Sequence, residues 1–410
     1  MRKYISQMFN LQGLLVDRVE CPPAAGTIIV HCRDPHQSYC CPACGERTKK
    51  IHQYRDREIK HGRLNDKQIV LHLKTRRFQC SRCRKVFSER IAGIDRKRST
   101  LSFRTEVLSW LQRNSFNYIG QRFKTSGATL NRYVLSVSDC WLIDWNKTAV
   151  TKLGIDEHSF RGHDLVITIT DIGHHKLLAI LKTDRQKALM DFLDNIPQKA
   201  KENIKEVCID LKASYKEAIK KCLPNADIVA DRFHVEMLAK RTVDEIRAVV
   251  QSEQSGRQNR LKELLLTDYR LLDEKEKDKL EAVWKRYERY PILKEAWLIK
   301  EKIVQFYQLN DRDRAQEKFK YISMLFATAA ANRYLKTSER TWRDWEEQVL
   351  NYFKHRTTNG FTEGCHTKIK MMKRVSFGFR NINNYIAKMM LAFIPLAVII
   401  NHLLIHHTIC

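Results

Sequence analysis

The order of apolar runs in residues 151–232 constrains the fold of this chain more than any other feature. Residues 151–157, 164–171 and 175–181 cluster or alternate apolar side chains as strands do. Gly173, between the second and third runs, marks a hairpin. Further along, the pattern alternates, and the predicted segments are helix 186–193, strand 204–209, helix 215–222 and strand 226–230. The segment therefore predicts an α/β domain.

Two aspartates lie at the ends of two of these runs. We predict a ribonuclease H-like core for residues 150–233. Such a core has three antiparallel strands, followed by a helix, a strand, a helix and a strand. In that layout the first and fourth strands are neighbours, so Asp156 and Asp210 would lie side by side. Close carboxylates disfavour each other's ionisation, and divalent cations relieve the repulsion. Either aspartate alone is common as a turn or helix-cap residue, but their joint placement favours chemistry.

Glu363 supplies a third carboxylate, in Asn359-Gly-Phe-Thr-Glu-Gly-Cys-His366 at a predicted helix start. Asn359 or Thr362 would cap that helix, whose dipole tolerates an anion in the first turn. Glu363, His366 and Lys370 fall on one helix face at i, i+3 and i+7. Carboxylates so placed suit a pair of divalent cations that clamp the attacking and leaving oxygens of a phosphodiester. We therefore expect two Mg²⁺ or Mn²⁺ ions on three carboxylates: Asp156, Asp210 and Glu363.

Two Cys-x-x-Cys pairs predict a structural zinc site in residues 1–95, a zinc-ribbon-like module. They are Cys41-Pro-Ala-Cys44 and Cys80-Ser-Arg-Cys83. Two thiolates three positions apart can turn toward one ion, and two such knuckles supply the tetrahedral set that Zn²⁺ prefers. Four thiolates leave no open coordination position, so we do not expect this zinc to be catalytic.

Several neighbours of the knuckles need separate assignments. Residues 67–74 alternate, with Ile69, Leu71 and Leu73 on one face, and would form a hairpin arm leading to the second knuckle. Cys40 is expected to be a spare thiol, and His52 and His61 are expected to be loop or surface residues. We expect several basic side chains here and on the Glu363 helix to bind DNA phosphates, although a solvated surface explains any one of them alone: Arg76, Arg77, Lys370, Lys373 and Arg374.

Residues 96–145 have the periodicity of three short helices. The predicted helices are 101–111, 116–123 and 128–137. The turn before the third contains Gly127 and a cap candidate, Ser126. Short helix, turn and short helix is the layout of a helix-turn-helix that reads DNA, although a plain three-helix packing unit has the same pattern. In the DNA-reading interpretation three side chains face outward toward base edges or phosphates: Thr129, Asn131 and Arg132.

The rest of the chain is helical in character, and the chain as a whole is strongly basic. Residues 234–356 contain one Pro and one Gly and predict an all-helical insertion, after which 357–410 would complete the core with the Glu363 helix.

The 74 Lys and Arg against 47 Asp and Glu give a net charge of +27. Self-repulsion on this scale costs stability unless a polyanion relieves it, so nucleic acid is the expected partner. Residues 389–400 are apolar but too short to span a membrane, and we expect them to be buried core.

The chain resembles the ISL-three family of bacterial insertion-sequence transposases over essentially its whole length. His366 stands where members of that family often have Asn, which leaves the carboxylate in place. The resemblance implies transposition with Asp156, Asp210 and Glu363 as the metal-binding set. The segments that carry it are Gly154-Ile-Asp-Glu157, Cys208-Ile-Asp210, Ala230-Asp-Arg-Phe-His-Val235, Thr358-Asn-Gly-Phe-Thr-Glu-Gly-Cys-His-Thr-Lys-Ile-Lys370 and Phe377-Gly-Phe-Arg-Asn381.

Asp231 and His234 leave one assignment open. Asp231-Arg-Phe-His234 resembles the Asp-x-x-His signature of Mutator-like transposases, where it lies beside the active site as an auxiliary feature. Asp231 is therefore the alternative second acid. Asp210 is preferred because the fourth strand abuts the first, while the fifth lies one strand further out. For His234, a helix-capping role is the simpler alternative.

The expected function is transposition. The expected partners are double-stranded DNA, namely the element's terminal inverted repeats and a target, and further copies of this chain on that DNA, but no membrane. No secretory leader is evident, so we expect the bacterial cytoplasm, at the nucleoid. Two alternatives are a DNA-binding regulator with a degenerate core, which the intact acids disfavour, and a nuclease without strand transfer.

Overall fold

The computed structural model describes residues 6–408 except 12, 23–25, 96, 254–260 and 330–331. The chain divides into two compact units. The first consists of the residues up to Leu142 together with those from Met371 onward, and the second is Ile143–Lys370. The second unit has a large apolar core, and the first has two smaller ones.

The strands and helices are named in chain order. The strands are β1 (Leu15–Glu20), β2 (Thr27–Arg33), β3 (Tyr39–Cys40), β4 (Arg47–Thr48), β5 (Ile51–Leu64), β6 (Lys67–Gln79), β7 (Val86–Ser88), β8 (Lys152–Arg161), β9 (Asp164–Asp171), β10 (Lys176–Leu181), β11 (Glu206–Ile209) and β12 (Asp227–Ala230). The α-helices from residue 101 onward are α1 (Leu101–Leu111), α2 (Phe116–Arg122), α3 (Gly127–Leu135), α4 (Gln186–Asp194), α5 (Gln198–Asn203), α6 (Ala213–Cys222), α7 (Arg232–Glu253), α8 (Leu261–Leu266), α9 (Glu274–Arg286), α10 (Pro291–Phe306), α11 (Arg312–Ala329), α12 (Arg333–Asp344), α13 (Glu346–His355), α14 (Gly360–Val375), α15 (Ile382–Phe393) and α16 (Leu396–Thr408).

The first unit contains a mixed sheet in the order β1-β2-β6-β5, with β7 added beside β6. β5 and β6 form a long antiparallel hairpin that pairs Leu64 with Lys67 at one end and Ile51 with Phe78 at the other. The alternating side chains of β6 are buried as predicted: Ile69, Leu71 and Leu73. Because the hairpin is long, the residues just before β5 and just after β6 meet at its far end.

The three predicted short helices of this unit are α1, α2 and α3. Each begins at a hydroxyl that accepts a hydrogen bond from the backbone N–H three residues on, namely Thr100, Ser115 and the predicted Ser126. Such N-caps satisfy an otherwise unpaired donor and so define the start of each helix. The helices enclose an apolar cluster that includes Phe103, Val107, Leu108, Leu111, Ile119, Phe123, Leu130, Val134 and Val137.

The carboxy-terminal helices complete that cluster, which corrects the expectation that 357–410 belong wholly to the α/β core. Ala387 and Leu391 of α15, with Ile399 of α16, lie in the same apolar cluster as α1, α2 and α3. The Gln112 amide donates to the carbonyls of Leu391 (3.1 Å) and Ile394 (2.6 Å). The division between the units falls within α14 because this apolar tail supplies the side of the three-helix cluster that the short helices leave open.

The apolar segment 389–400 is partly core, as predicted, and partly surface. Its first four residues and Ile399 are buried, but Leu396 and Val398 are exposed. Among the described residues, no single helix has the length and apolarity to cross a membrane, and α15 and α16 meet that test only as a pair bent by 108°.

The second unit is built on a five-stranded sheet in the order β10-β9-β8-β11-β12. β8, β9 and β10 are antiparallel, whereas β11 runs parallel to both β8 and β12. All the predicted strands and helices of 151–232 are present in the predicted order. β8 extends to Arg161, four residues beyond the predicted end, and α5 is an additional short helix.

In the described part of the chain, helices follow β12. The described residues from 232 to 355 form α7 to α13 and a short 3₁₀ turn, with no strand, as the scarcity of Pro and Gly predicts. Their aromatic side chains pack on one another, for example Phe319 stacked on Trp342 with ring centroids 4.4 Å apart. This core is continuous with that of the sheet. The Asn351 amide of α13 donates to the Ile228 carbonyl of β12 over 3.0 Å, which fixes the last of these helices to the sheet edge.

Candidate active site and zinc module

The pairing of β8 with β11 brings two acids together. Ile155 pairs with Ile209 in parallel register, so the residues that follow them, Asp156 and Asp210, lie side by side. One carboxylate oxygen of each aspartate and one ring nitrogen of His234 all lie within 4.8 Å of one another. The structure therefore places side by side the two aspartates that the strand order predicts as neighbours.

Glu363 joins the same cluster from α14, on the side of Asp231. Oxygens of Asp231 and Glu363 and a ring nitrogen of His234 form a second set within 4.8 Å. His234 belongs to both sets: its Nδ1 lies 2.8 Å from Asp210 Oδ1 and 3.0 Å from Asp231 Oδ2. The three acids predicted to bind metal therefore surround one imidazole, together with the alternative acid Asp231.

His234 carries the positive charge at the centre of this cluster. Burial lowers the pKa of its imidazole, but the contacts to Asp210 and Asp231 outweigh burial and raise it to about 10. Burial raises the pKa of Asp210 to about 6, against the opposing effect of His234. Burial and the neighbouring charge of Asp231 also raise the pKa of Glu363. The cluster thus holds more negative charge than its one imidazolium can balance.

Asp156 differs from Asp210 and Glu363 in having a lowered pKa. Its side chain is almost fully buried, and burial raises the pKa, but a contact from His366 Nδ1 to Asp156 Oδ2 (3.3 Å) and the Glu157 N–H at 2.6 Å outweigh burial and leave the pKa below its ordinary value. His366 Nε2 in turn lies 2.9 Å from the Thr168 hydroxyl, which also contacts His158. His366 therefore orients Asp156. Its position on the same helix face as Glu363 predicted that it lies near the site, but not this role.

The start of α14, which carries Glu363, is fixed against β8 by a close approach. A Cβ on Gly154 would lie 2.5 Å from Thr362 Oγ1, 2.6 Å from Thr170 Oγ1 and 2.7 Å from Asn359 Oδ1. The Asn359 amide donates to the Ile155 carbonyl over 3.1 Å, and its backbone N–H donates to Asp231 Oδ1 over 3.0 Å. Only glycine leaves room for this junction, so Gly154 indirectly positions Glu363.

The donor set fits divalent cations of the hard type. Carboxylate oxygens are the ligands that Mg²⁺ and Mn²⁺ prefer. The contact of His234 to Asp231 has hydrogen-bond geometry and its contact to Asp210 does not, so the buried Oδ1 of Asp210 has no hydrogen-bond partner. That oxygen faces the His234 imidazolium at 2.8 Å without hydrogen-bond geometry, a position that a bound divalent cation would take over.

The four cysteine sulfurs of the zinc module fit a Zn²⁺ ion equally well. Cys41 Sγ lies 3.5 Å from Cys83 Sγ, Cys44 Sγ lies 3.5 Å from Cys80 Sγ, and all four atoms lie within 4.8 Å of one another. A tetrahedron with Zn–S bonds of about 2.3 Å requires S–S separations of about 3.8 Å. The β5–β6 hairpin makes this set by joining the knuckle before β5 to the knuckle after β6. A backbone hydrogen bond from Cys83 lowers the pKa of Cys80, which favours the thiolate.

The two knuckles share one backbone design. In the first, Gly45 N–H donates to the Cys41 carbonyl, and in the second Arg84 N–H donates to the Cys80 carbonyl. Both residues have positive φ, 73° at Gly45 and 59° at Arg84. Cys40 lies outside the thiolate set, on β3.

Two expectations about the neighbours of this site are corrected. Arg76 does not face DNA: its guanidinium contacts Glu89 (2.7 Å) and Asp34 (3.0 Å), and its side chain is largely buried. His61 is not a surface residue, because its ring is buried and its Nδ1 lies 3.1 Å from the Thr100 hydroxyl. In both cases the partner lies far away in sequence, where local pattern cannot show it.

The other side chains expected to touch DNA lie at or near the surface. Arg132 is exposed and donates to the Thr129 hydroxyl over 2.9 Å, while Asn131 is half-buried with its Oδ1 buried and unpaired. Lys370 and Arg374 are exposed, and Arg77 and Lys373 are half-buried.

Sequence reasoning missed a second layer around the acids. Lys212, two residues after Asp210, contacts the carboxylate of Glu157, the neighbour of Asp156, and so links the two strand ends. Arg241 lies on the α7 face that also presents His234. The spacing of His234 and Arg241 at i and i+7 was the available signal for Arg241, whereas nothing local marks Lys212.

Comparison with known proteins identifies the class as transposase. Residues 153–389 match the ISL3 family model, described as transposase, and residues 37–83 match the zinc finger of the transposases of IS204, IS1001, IS1096 and IS1165. The first match covers more than half of the chain, which therefore belongs to the ISL3 family of insertion-sequence transposases. The chain is also 25% identical to the transposase for insertion sequence element IS1001 of Bordetella parapertussis, over 96% of this chain and 98% of that protein.

Proposed function

We propose that this transposase binds the terminal inverted repeats of its insertion sequence, cleaves them, and joins the freed 3′ ends to target DNA. The observation that carries the proposal is the pair Asp156 and Asp210 at neighbouring strand ends, with Glu363 brought to the same cluster by α14. The sheet order, with three antiparallel strands beside two parallel ones, supports a ribonuclease H-like core. The helices α7 to α13 are then its insertion.

Asp156, Asp210 and Glu363 would hold two Mg²⁺ or Mn²⁺ ions. When bound, such ions activate an attacking oxygen and stabilise the leaving oxygen of a phosphodiester. Asp156 contributes a carboxylate kept ionised by His366, and Asp210 contributes the buried oxygen that lacks a donor. Glu363 approaches from the side of Asp231. His234 balances the acids in the absence of ions.

Asp210 is preferred over Asp231 as the second metal-binding acid. Asp210 lies within 4.8 Å of Asp156 and in the wall of the same cavity. Asp231 is 1% exposed, and both of its oxygens are used within the protein, Oδ1 by the Asn359 N–H and Oδ2 by His234. Asp231 is then the residue that holds His234 and the start of α14 in place.

DNA recognition is assigned to the first unit. The caps and turn of α1 to α3 support a helix-turn-helix whose third helix presents Arg132 and Thr129. A module with four thiolates beside basic side chains supports phosphate contacts, and the net charge of +27 favours a polyanion.

We propose that the protein acts as a homo-oligomer, because two ends must be processed together.

A strand-transfer assay separates this function from its alternatives. The full-length protein is incubated with Mg²⁺, a labelled duplex of the terminal repeat and flank, and a circular target. Cleavage followed by appearance of label in the target is expected. Cleavage without joining would indicate a nuclease, and end-specific binding without cleavage would indicate a regulator.

A further inference from the structure

A cavity of about 310 Å³ opens beside the acid cluster, within the second unit. It is bounded by β8, the residues after β11, α6, α7 and α12, so the helical segment after β12 supplies part of its wall. Its volume is at the lower end of the range of about 300–1,000 Å³ found for small-molecule sites. The side chains in its wall include Asp156, Asp210, Tyr215, Leu238, Arg241 and Thr341.

Asp156 and Asp210 lie in the wall of this cavity. Asp156 is 6% exposed, and the unpaired oxygen of Asp210 is buried. A scissile phosphate that reaches them must bring its nucleotide to the cavity. A base-paired duplex is far too wide to follow, so the nucleotide has to leave the stack, as it does in enzymes that act on bases in duplex DNA.

The cavity wall offers one available cation. Arg241 is exposed and makes no hydrogen bond or ion pair with any residue in the described part of the chain. The other two basic side chains in the wall are already paired. Lys212 contacts Glu157 and lies 3.3 Å from Asp184 Oδ2, and His234 contacts Asp210 and Asp231. A guanidinium without a carboxylate partner, on the same helix face as His234, suits a phosphate.

The remaining wall suits a base. Leu211 and Leu238 are apolar and half-buried. The Tyr215 ring is buried behind this wall, with the Lys212 ammonium 4.4 Å from its centroid. Burial raises the pKa of Tyr215 well above its usual range, so its phenol stays neutral. Thr341 adds a hydroxyl on the α12 side. Apolar side chains pack against the flat face of any of the four bases, because every base has a π face.

We propose that this cavity is a subsite for a single unpaired nucleotide of the cleaved strand, with its base against Leu211 and Leu238 and its adjoining phosphate on Arg241. The subsite deepens the proposed function and rests on it. It assigns to the helical insertion a direct part in holding the DNA end.

Single-turnover cleavage tests the subsite with two versions of the labelled end duplex. One is fully paired, and the other carries a mismatch at the cleavage junction. On the paired duplex, Arg241→Ala and the cavity-filling Leu238→Trp should each slow cleavage about tenfold or more, with gel-shift affinity changed less than about twofold. The matched control is Lys240→Ala, which removes the same charge from α7 without touching the cavity. It should cleave like the wild type.

The mismatch supplies the discriminating readout. Because the mismatch removes the cost of unpairing, it should speed the wild type and restore part of the rate of Arg241→Ala, but not of Leu238→Trp, which lacks the space. If both variants cleave the paired duplex at the wild-type rate, the subsite is overturned and the proposed function stands. Equal slowing of Arg241→Ala on both duplexes would also overturn it. A wild type that cleaves neither duplex overturns the proposed function and the subsite together.

Discussion

The charge of His234 compensates the acid cluster at the level of single residues. Its pKa in the folded protein, about 10, lies above the ordinary value of about 6.5. A raised histidine pKa contributes stability that is complete below the ordinary pKa and is lost as the pH rises through the folded-state value. The imidazolium therefore stabilises the fold throughout the neutral range, until divalent cations compete for the same carboxylates.

Replacement of His234 by Asn should expose this competition. At pH 7 without divalent ions, the variant should lose about 1.5–3 kcal/mol of unfolding free energy, because Asp210 and Asp231 lose their counter-charge. The loss should shrink as the pH rises from about 6.5 toward 10 and should be absent above pH 10. Mg²⁺ should then raise the melting temperature of the variant more than that of the wild type. His174→Asn, which removes a histidine paired with Asp171 outside the cluster, is the control. Identical Mg²⁺ shifts in all three proteins would contradict the role assigned to His234.

Gly154 tests the junction that positions Glu363. A methyl group there would meet three polar oxygens closer than any real contact allows. Gly154→Ala should therefore destabilise the protein by about 1–3 kcal/mol and reduce cleavage. Gly364→Ala, in α14 beside Glu363 with open space around it, should be neutral or stabilising by about 0.5–1 kcal/mol. Thermal denaturation of the two variants compares them directly, and equal melting temperatures would rule out the close approach.

At the scale of elements, local periodicity predicted most of the secondary structure. α1 and β9 have the predicted bounds, because alternation, helical spacing and caps are properties of neighbouring residues. The six-residue α5 was missed because it is too short to show a period. Arg76 was misjudged because its partners, Asp34 and Glu89, are not its neighbours in sequence. Gly154 was overlooked because the start of α14, which packs against it, is far away in sequence.

The zinc module is an element whose stability should depend on its ion. Cys41→Ser should remove zinc from the full-length protein and disorder the β3–β4 hairpin, since four thiolates supply the coordination. Cys40→Ser, one residue away and outside the set, should keep about one zinc per chain. Metal analysis by mass spectrometry measures the outcome. Equal zinc content in the two variants would refute the ligand assignment.

At the scale of the whole molecule, the carboxy-terminal helices were the main surprise. Composition predicts that an apolar segment is buried but not which apolar surface covers it, because that depends on packing between elements distant in sequence. Here α15 and α16 close the cluster of α1, α2 and α3, so the proposed DNA-reading unit is assembled from both ends of the chain.

Leu391 tests that assembly. It is fully buried in the cluster, so Leu391→Ala should cost about 2–5 kcal/mol and weaken binding to the terminal repeat. Val398→Ala, on an exposed position of α16, should change stability by less than about 0.5 kcal/mol. Hydrogen exchange should show faster amide exchange in α1 to α3 only for Leu391→Ala. Unchanged protection there would mean that the tail does not support the helices.

Cleavage of a labelled terminal-repeat duplex by near-isosteric variants, beside a gel shift, tests the central claim most directly. Asp156→Asn, Asp210→Asn and Glu363→Gln should each abolish Mg²⁺-dependent cleavage and leave end binding largely intact, because the ions need all three carboxylates. Asp231→Asn should weaken the fold around His234 and Asn359 but retain some cleavage. If Asp210→Asn still cuts and Asp231→Asn does not, Asp231 is the second acid. If all three of the first variants cut normally, the two-metal account is wrong.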